Sequence, residues 1–156
     1  MLLPGPGVGG EARAAGLSLG VPTPAVFGSP LGPSTPVEST GGSVSVTALA
    51  GWQVRVRGTD GGRLRSTGTG PCASGSTLLS NSLRVWAGGT GVSSPGSSAN
   101  PLVLSDTAQV LASGNVLGLV ALAVPVTVTY RYVPSAGDQL PASCPYSLTA
   151  IIDLSA

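Results

Sequence analysis

Two stretches of this chain alternate apolar and polar residues with a strict period of two. In residues 43–48, Val44, Val46 and Ala48 fall on one side, and Ser43, Ser45 and Thr47 on the other. In residues 52–57, Trp52, Val54 and Val56 oppose Gln53, Arg55 and Arg57. That period sends successive side chains to opposite faces of a pleated strand, with one face buried. No stretch of useful length carries the i, i+3, i+4 spacing of an amphipathic helix. The chain is therefore read as all-β.

Further strands are expected at residues 17–21 and 83–87, from Val124 to Tyr132, and at 146–154, with short apolar segments at 25–28, 102–104 and 109–112. In 83–87, Leu83, Val85 and Ala87 share a face opposite Arg84 and Trp86. In 146–154, Tyr146, Leu148, Ala150, Ile152 and Leu154 face inward, which leaves Ile151 as an apolar misfit on the outside. Residues 116–132 form the longest apolar run, but Asn115 precedes it, Pro125 interrupts it, and Thr127 and Thr129 alternate with valine. A membrane-spanning helix needs about 20 apolar residues in a row, so no transmembrane segment is expected. The connections draw on 24 glycines and 14 prolines. Residues 28–40 read as a Pro/Ser/Thr link, 88–101 as a flexible low-complexity loop, and 135–138 as a turn. Thr59-Asp60-Gly61-Gly62 reads as a hairpin turn, with the return strand starting at Leu64. Seven or eight short strands with such connections predict one antiparallel sandwich over residues 17–156.

Composition narrows function mainly by exclusion. The chain has no histidine, and all seven basic residues are arginine. It therefore lacks the base of a Ser–His–Asp or Cys–His mechanism, a Schiff-base lysine and a P-loop lysine. Two cysteines and no histidine do not make a zinc site. The six acids are scattered, with none beside another. No enzyme, no cofactor and no metal site are expected. The net charge of +1 gives no field to attract nucleic acid, so no nucleic-acid partner is expected. Charged residues make up 8 % of the chain, against roughly 25 % in ordinary soluble domains. A surface of Ser, Thr and Gly suits assembly better than free monomeric life.

Cys72 and Cys144 both lie in loop-like surroundings. An even count in a Gly/Ser-rich chain predicts one Cys72–Cys144 disulfide and an oxidising compartment. Residues 1–16 hold Ala12-Arg13-Ala14, an A-x-A pattern of the kind signal peptidase uses. Two readings stay open there: the end of a longer export signal with Met1 an internal start, or a flexible tail. Arg55, Arg57, Arg63 and Arg65 would gather around the expected hairpin, as an anion- or partner-binding patch or as a solvated face that discourages edge pairing. Trp52 is expected in the core. Trp86, facing away from Leu83 and Val85, is the better candidate for partner contact.

The order of elements resembles a known group. It runs through Val26-Phe27-Gly28, SVSVTALAGWQVRVRGTDGG (residues 43–62), LRVW, VPVTVTYRY (124–132) and PYSLTAIIDL (145–154). It is similar to bacterial secreted immunoglobulin-like β-sandwiches, the WxL-like and spore-coat-U-like surface and pilus-associated proteins. The resemblance implies an immunoglobulin-like sandwich with an extended N-terminal segment, acting outside the cell. The expected function is a structural subunit of an exported cell-surface assembly: a pilus-like fibre, surface layer or coat. It would associate with itself, with Leu17, Leu19 and Val21 offered as a strand to a neighbour's sheet edge. The alternatives are a virion accessory or decoration protein contacting capsid proteins, and a carbohydrate-binding module drawing on Trp86, Tyr130, Tyr132 and Tyr146.

Overall fold

The computed structural model describes residues 17–27, 36–67, 69–73, 78–115, 122–135 and 144–155. The signal-like segment 1–16 and most of the expected 135–138 turn lie outside the described residues. The strands are β1 (Ser18–Leu19), β2 (Val26–Phe27), β3 (Val37–Thr40), β4 (Ser43–Ala48), β5 (Trp52–Gly58), β6 (Arg63–Ser66), β7 (Leu78–Ser82), β8 (Arg84–Gly88), β9 (Leu102–Val103), β10 (Gln109–Gly114), β11 (Leu122–Tyr132), β12 (Tyr146–Ser147) and β13 (Ala150–Ser155). All of their pairings are antiparallel. The fold is an all-β sandwich.

Among the described residues thirteen strands replace the expected seven or eight, mainly because several tracks of chain are interrupted and resume in the same direction. β3 and β4 both run antiparallel to β11, Glu38 opposite Arg131 and Ser43 opposite Thr127. Between those two pairs the β3–β4 side carries one residue more than β11, which makes a bulge. Gly41 takes φ +80° there, and a Cβ on Gly42 would lie 2.4 Å from the Val128 carbonyl oxygen. The bulge draws the backbone away from β11, and the Ser39 hydroxyl takes its place in the ladder, accepting the Tyr130 N–H at 2.9 Å. Residues 37–40, expected in a linker, are thus a strand. Gly and Pro punctuation in 28–36 masked the short apolar-polar alternation that follows.

One layer contains five tracks, in the order β1/β2, β4/β3, β11, β8, β9. The N-terminal track is the edge, with Leu19 opposite Val46, an isolated bridge from Thr23 to Ser43, and Phe27 opposite Ser39. Pro125 is accommodated where β11 is flanked by β4, before its pairing with β8 begins at Thr127.

The other layer is built on β5 and β6. β5 lies between β10 and β13, and β6 between β7 and β12. Here the expected hairpin is corrected: β6 does not return along β5. Residues 59–62 form a kinked turn, with Asp60 (φ 55°) and Gly61 (φ 66°) in the left-handed region, and the chain then continues in its original direction. Glycines allow that backbone without forcing a reversal. Inward parity survives the excursion, since Gly58, Gly62, Leu64 and Ser66 are all buried. β7, whose LLSNS sequence has no clean alternation, was not expected from the sequence.

The core lies between the layers. Val46, Val54, Val56, Val85, Val126, Val128, Leu79, Leu104, Leu111, Ile152 and Tyr132 are fully buried. Each such aliphatic side chain contributes about 1.5–3 kcal/mol relative to exposure. Trp52 is in the core as expected, at 3 % exposure. It fits because its cross-strand partner is Gly114, where a Cβ would sit 2.5 Å from the indole. A register shift in β10 turns both Leu111 and Ala112 inward. The 88–101 segment, expected to be flexible, is pinned instead. Ser93 and Ser113 exchange backbone hydrogen bonds at 2.8 Å. The Ser94 hydroxyl donates to the Leu111 carbonyl at 2.8 Å and accepts from the Gly96 N–H at 3.3 Å.

Candidate functional site

Cys72 and Cys144 form the expected disulfide, with a Cα–Cα separation of 5.3 Å. Cys72 ends a 3-10 turn over Gly70–Cys72, and Cys144 lies just ahead of β12. The Thr67 N–H donates to the Pro145 carbonyl at 2.9 Å, so the bridge clamps a junction the backbone already draws together.

The four arginines run in file along the outer face of β5 and β6, not across a hairpin. Arg55 and Arg57 are exposed, and Arg63 and Arg65 half-buried. They are not one free cationic patch. Arg65 donates from Nε (2.9 Å) and Nη2 (2.6 Å) to the two carboxylate oxygens of Asp60, and Arg63 Nε donates to the Asp60 carbonyl at 3.3 Å. The hydrogen bond from Arg65 holds the Asp60 carboxyl below its ordinary range against the opposing effect of desolvation, with the charges of Arg65 and Arg63 adding to the lowering. Arg55 donates to Gln53 Oε1 at 3.3 Å and lies in register with Asp153. Arg57 lies opposite Ile151, the apolar misfit, which is half-buried.

Trp86 is half-buried on the outer face of the five-track layer, in register with Thr129. The Arg131 guanidinium carbon sits 4.8 Å from its ring centroid, a cation–π distance. Arg131 is held there by Glu38, whose Oε2 accepts from Nε at 3.0 Å and from Nη2. Arg131 is also directly opposite Arg84 on β8. The outer row Glu38–Arg131–Arg84–Val103 thus crosses four tracks. The sequence placed Arg84 and Trp86 on the outward face of one strand. It gave no sign of Arg131 and Glu38, which come from strands 93 residues apart.

Of the other aromatic candidates, Tyr130 and Tyr132 are buried and Tyr146 is half-buried against the core. Burial raises the Tyr130 hydroxyl pKa well above its ordinary value. Of the expected assembly strand, Leu17 is 6 % exposed and Leu19 lies against the core, whereas Val21 is 78 % exposed. Val26, on the same edge track, is 60 % exposed. Among the described residues there is no cluster of three or more His, Cys, Asp or Glu able to hold a metal ion, and no helix long and apolar enough to cross a membrane. No protein family, curated protein or solved structure matches the chain.

Proposed function

We propose that this chain is a non-enzymatic structural subunit of an exported cell-surface assembly, joined to further copies of itself along the edge of its five-track sheet. The observation that carries this reading is the edge itself. The N-terminal track pairs on one side with β4 and β3, and no strand is paired to its other side among the described residues. It also presents Val21 and Val26 to solvent. Natural sheets usually blunt such edges with charge, proline or a cover, because unpaired backbone groups recruit another strand. Pro22 and Pro24 interrupt this edge but no charged residue guards it. The disulfide supports an oxidising setting, and the likeness to secreted surface sandwiches points the same way.

Charging Leu17 and Leu19 would test the idea poorly, because both side chains pack into the chain's own core. Val21→Lys/Val26→Lys changes only exposed positions. Sedimentation velocity over a wide concentration range should show growing oligomers for the wild type and monomer for the variant, with equal melting temperatures. A wild-type protein that stays monomeric throughout would overturn the proposal.

A further inference from the structure

We infer that Arg84, Arg131 and Trp86 form a binding site for an acidic polysaccharide, with the carboxylate of a uronic-acid residue taken by the arginine pair. This site is on the outer face of the five-track layer, and its argument does not depend on how the sheet edge is used.

The ladder between β8 and β11 sets Arg84 directly opposite Arg131. Side chains so paired are neighbours on one face, and like charges there repel. The row supplies one carboxylate, Glu38, and that group is committed to Arg131. No ion pair forms with Arg84 among the described residues. Its Nε is buried without a hydrogen-bond partner. The Arg84 guanidinium is therefore left without a charge partner among the described residues and with an unmet donor at Nε. A guanidinium fork with unmet donors is the usual counterpart of a planar carboxylate. Glu38 plays a positioning part, since it aligns Arg131 over the indole.

The surroundings favour a sugar as the bearer of that carboxylate. Trp86 gives a half-buried aromatic surface beside the fork. Thr129 lies across from it, and Thr127 and Ser43 are paired one step further along the same outer face. A uronic-acid ring would lie on the Arg131–Trp86 stack, with its carboxylate toward Arg84 and its hydroxyls toward this Ser/Thr row. An acidic peptide would use the arginines alone.

The chain has two tryptophans, and Trp52 is buried, so emission changes on ligand binding report Trp86. The probe is a galacturonic acid tetrasaccharide titrated into the intact, oxidised protein, with a galactose tetrasaccharide and a hexaglutamate peptide run alongside. The expected result is a saturable emission change with the uronate alone. Arg84→Gln should weaken it roughly tenfold or more, as loss of a charged hydrogen bond implies. Arg57→Gln, in the other layer, should leave it unchanged, and both variants should melt like the wild type. The inference is overturned by any one of three results: no saturable change at millimolar uronate, equal binding by the neutral sugar or the peptide, or full binding by a folded Arg84→Gln protein.

Discussion

Gly62 lies tight against the Leu104 backbone that follows β9, and replacing it tests the placement of the 59–62 excursion. Its φ is +82°, and a Cβ there would lie 2.2 Å from the Leu104 carbonyl oxygen and 2.6 Å from its carbon. The Leu104 backbone has little freedom to retreat. Its N–H donates to Leu83 at 2.9 Å, the Gly58 N–H donates to the Ser105 carbonyl at 2.7 Å, and Leu83 donates to Gly62 itself at 2.8 Å. Gly61 supplies the control: it too has positive φ, +66°, but nothing lies within 4 Å of its Cβ position. Gly61→Ala should cost only the left-handed backbone penalty, about 1 kcal/mol. Gly62→Ala should add overpacking of about 1–3 kcal/mol, about 3 kcal/mol in all. With a urea m-value of about 2 kcal/mol/M, the midpoint should fall by about 0.5 M for the first and about 1.5 M for the second. Equal losses for the two variants would refute the close approach, and with it the path of the chain through β5, the turn and β6.

Four further outcomes follow from Ser39, Tyr130 and the disulfide. Ser39→Ala removes the hydroxyl that accepts the Tyr130 N–H, and leaving that donor unmet should cost about 1–3 kcal/mol, measured by urea unfolding. Tyr130→Phe should do the reverse, because the Tyr130 hydroxyl is buried without a partner; a gain of about 1 kcal/mol is expected. The same hydroxyl has a raised pKa in the folded state, so the unfolded chain gives up its proton first. Stability from this group should be complete below about pH 10 and decline above it, and Tyr130→Phe should flatten that decline in an alkaline unfolding series. Breaking the 72-residue link between Cys72 and Cys144 with Cys72→Ser/Cys144→Ser should cost up to about 4 kcal/mol by loop-closure entropy, read as a shift in thermal and urea midpoints.

What the sequence disclosed follows physical lines. β4, β5 and the end of β11 are legible because one face is buried and the other is not, so their side chains alternate. β3 and β7 are short, and short strands carry too few residues to display a period. The excursion at 59–62 was misread because Asp-Gly-Gly reports a left-handed backbone and not the direction of the chain that leaves it. The arginines show the same limit. Their outward facing follows from parity along one strand, but their partners do not. Asp60 captures Arg65 only because the turn curls back, and Arg131 reaches Trp86 only through the ladder between β8 and β11. Leu17 and Leu19 were read as a strand to be given away, whereas the chain uses them in its own core.

The central claim is that the N-terminal edge track recruits another copy of the chain. Amide hydrogen exchange of the oxidised protein at low and high concentration reads this edge directly. Protection of residues 18–27 should rise with protein concentration, while that of β11, in the middle of the sheet, should stay constant. Protection of residues 18–27 that does not change with concentration would contradict it.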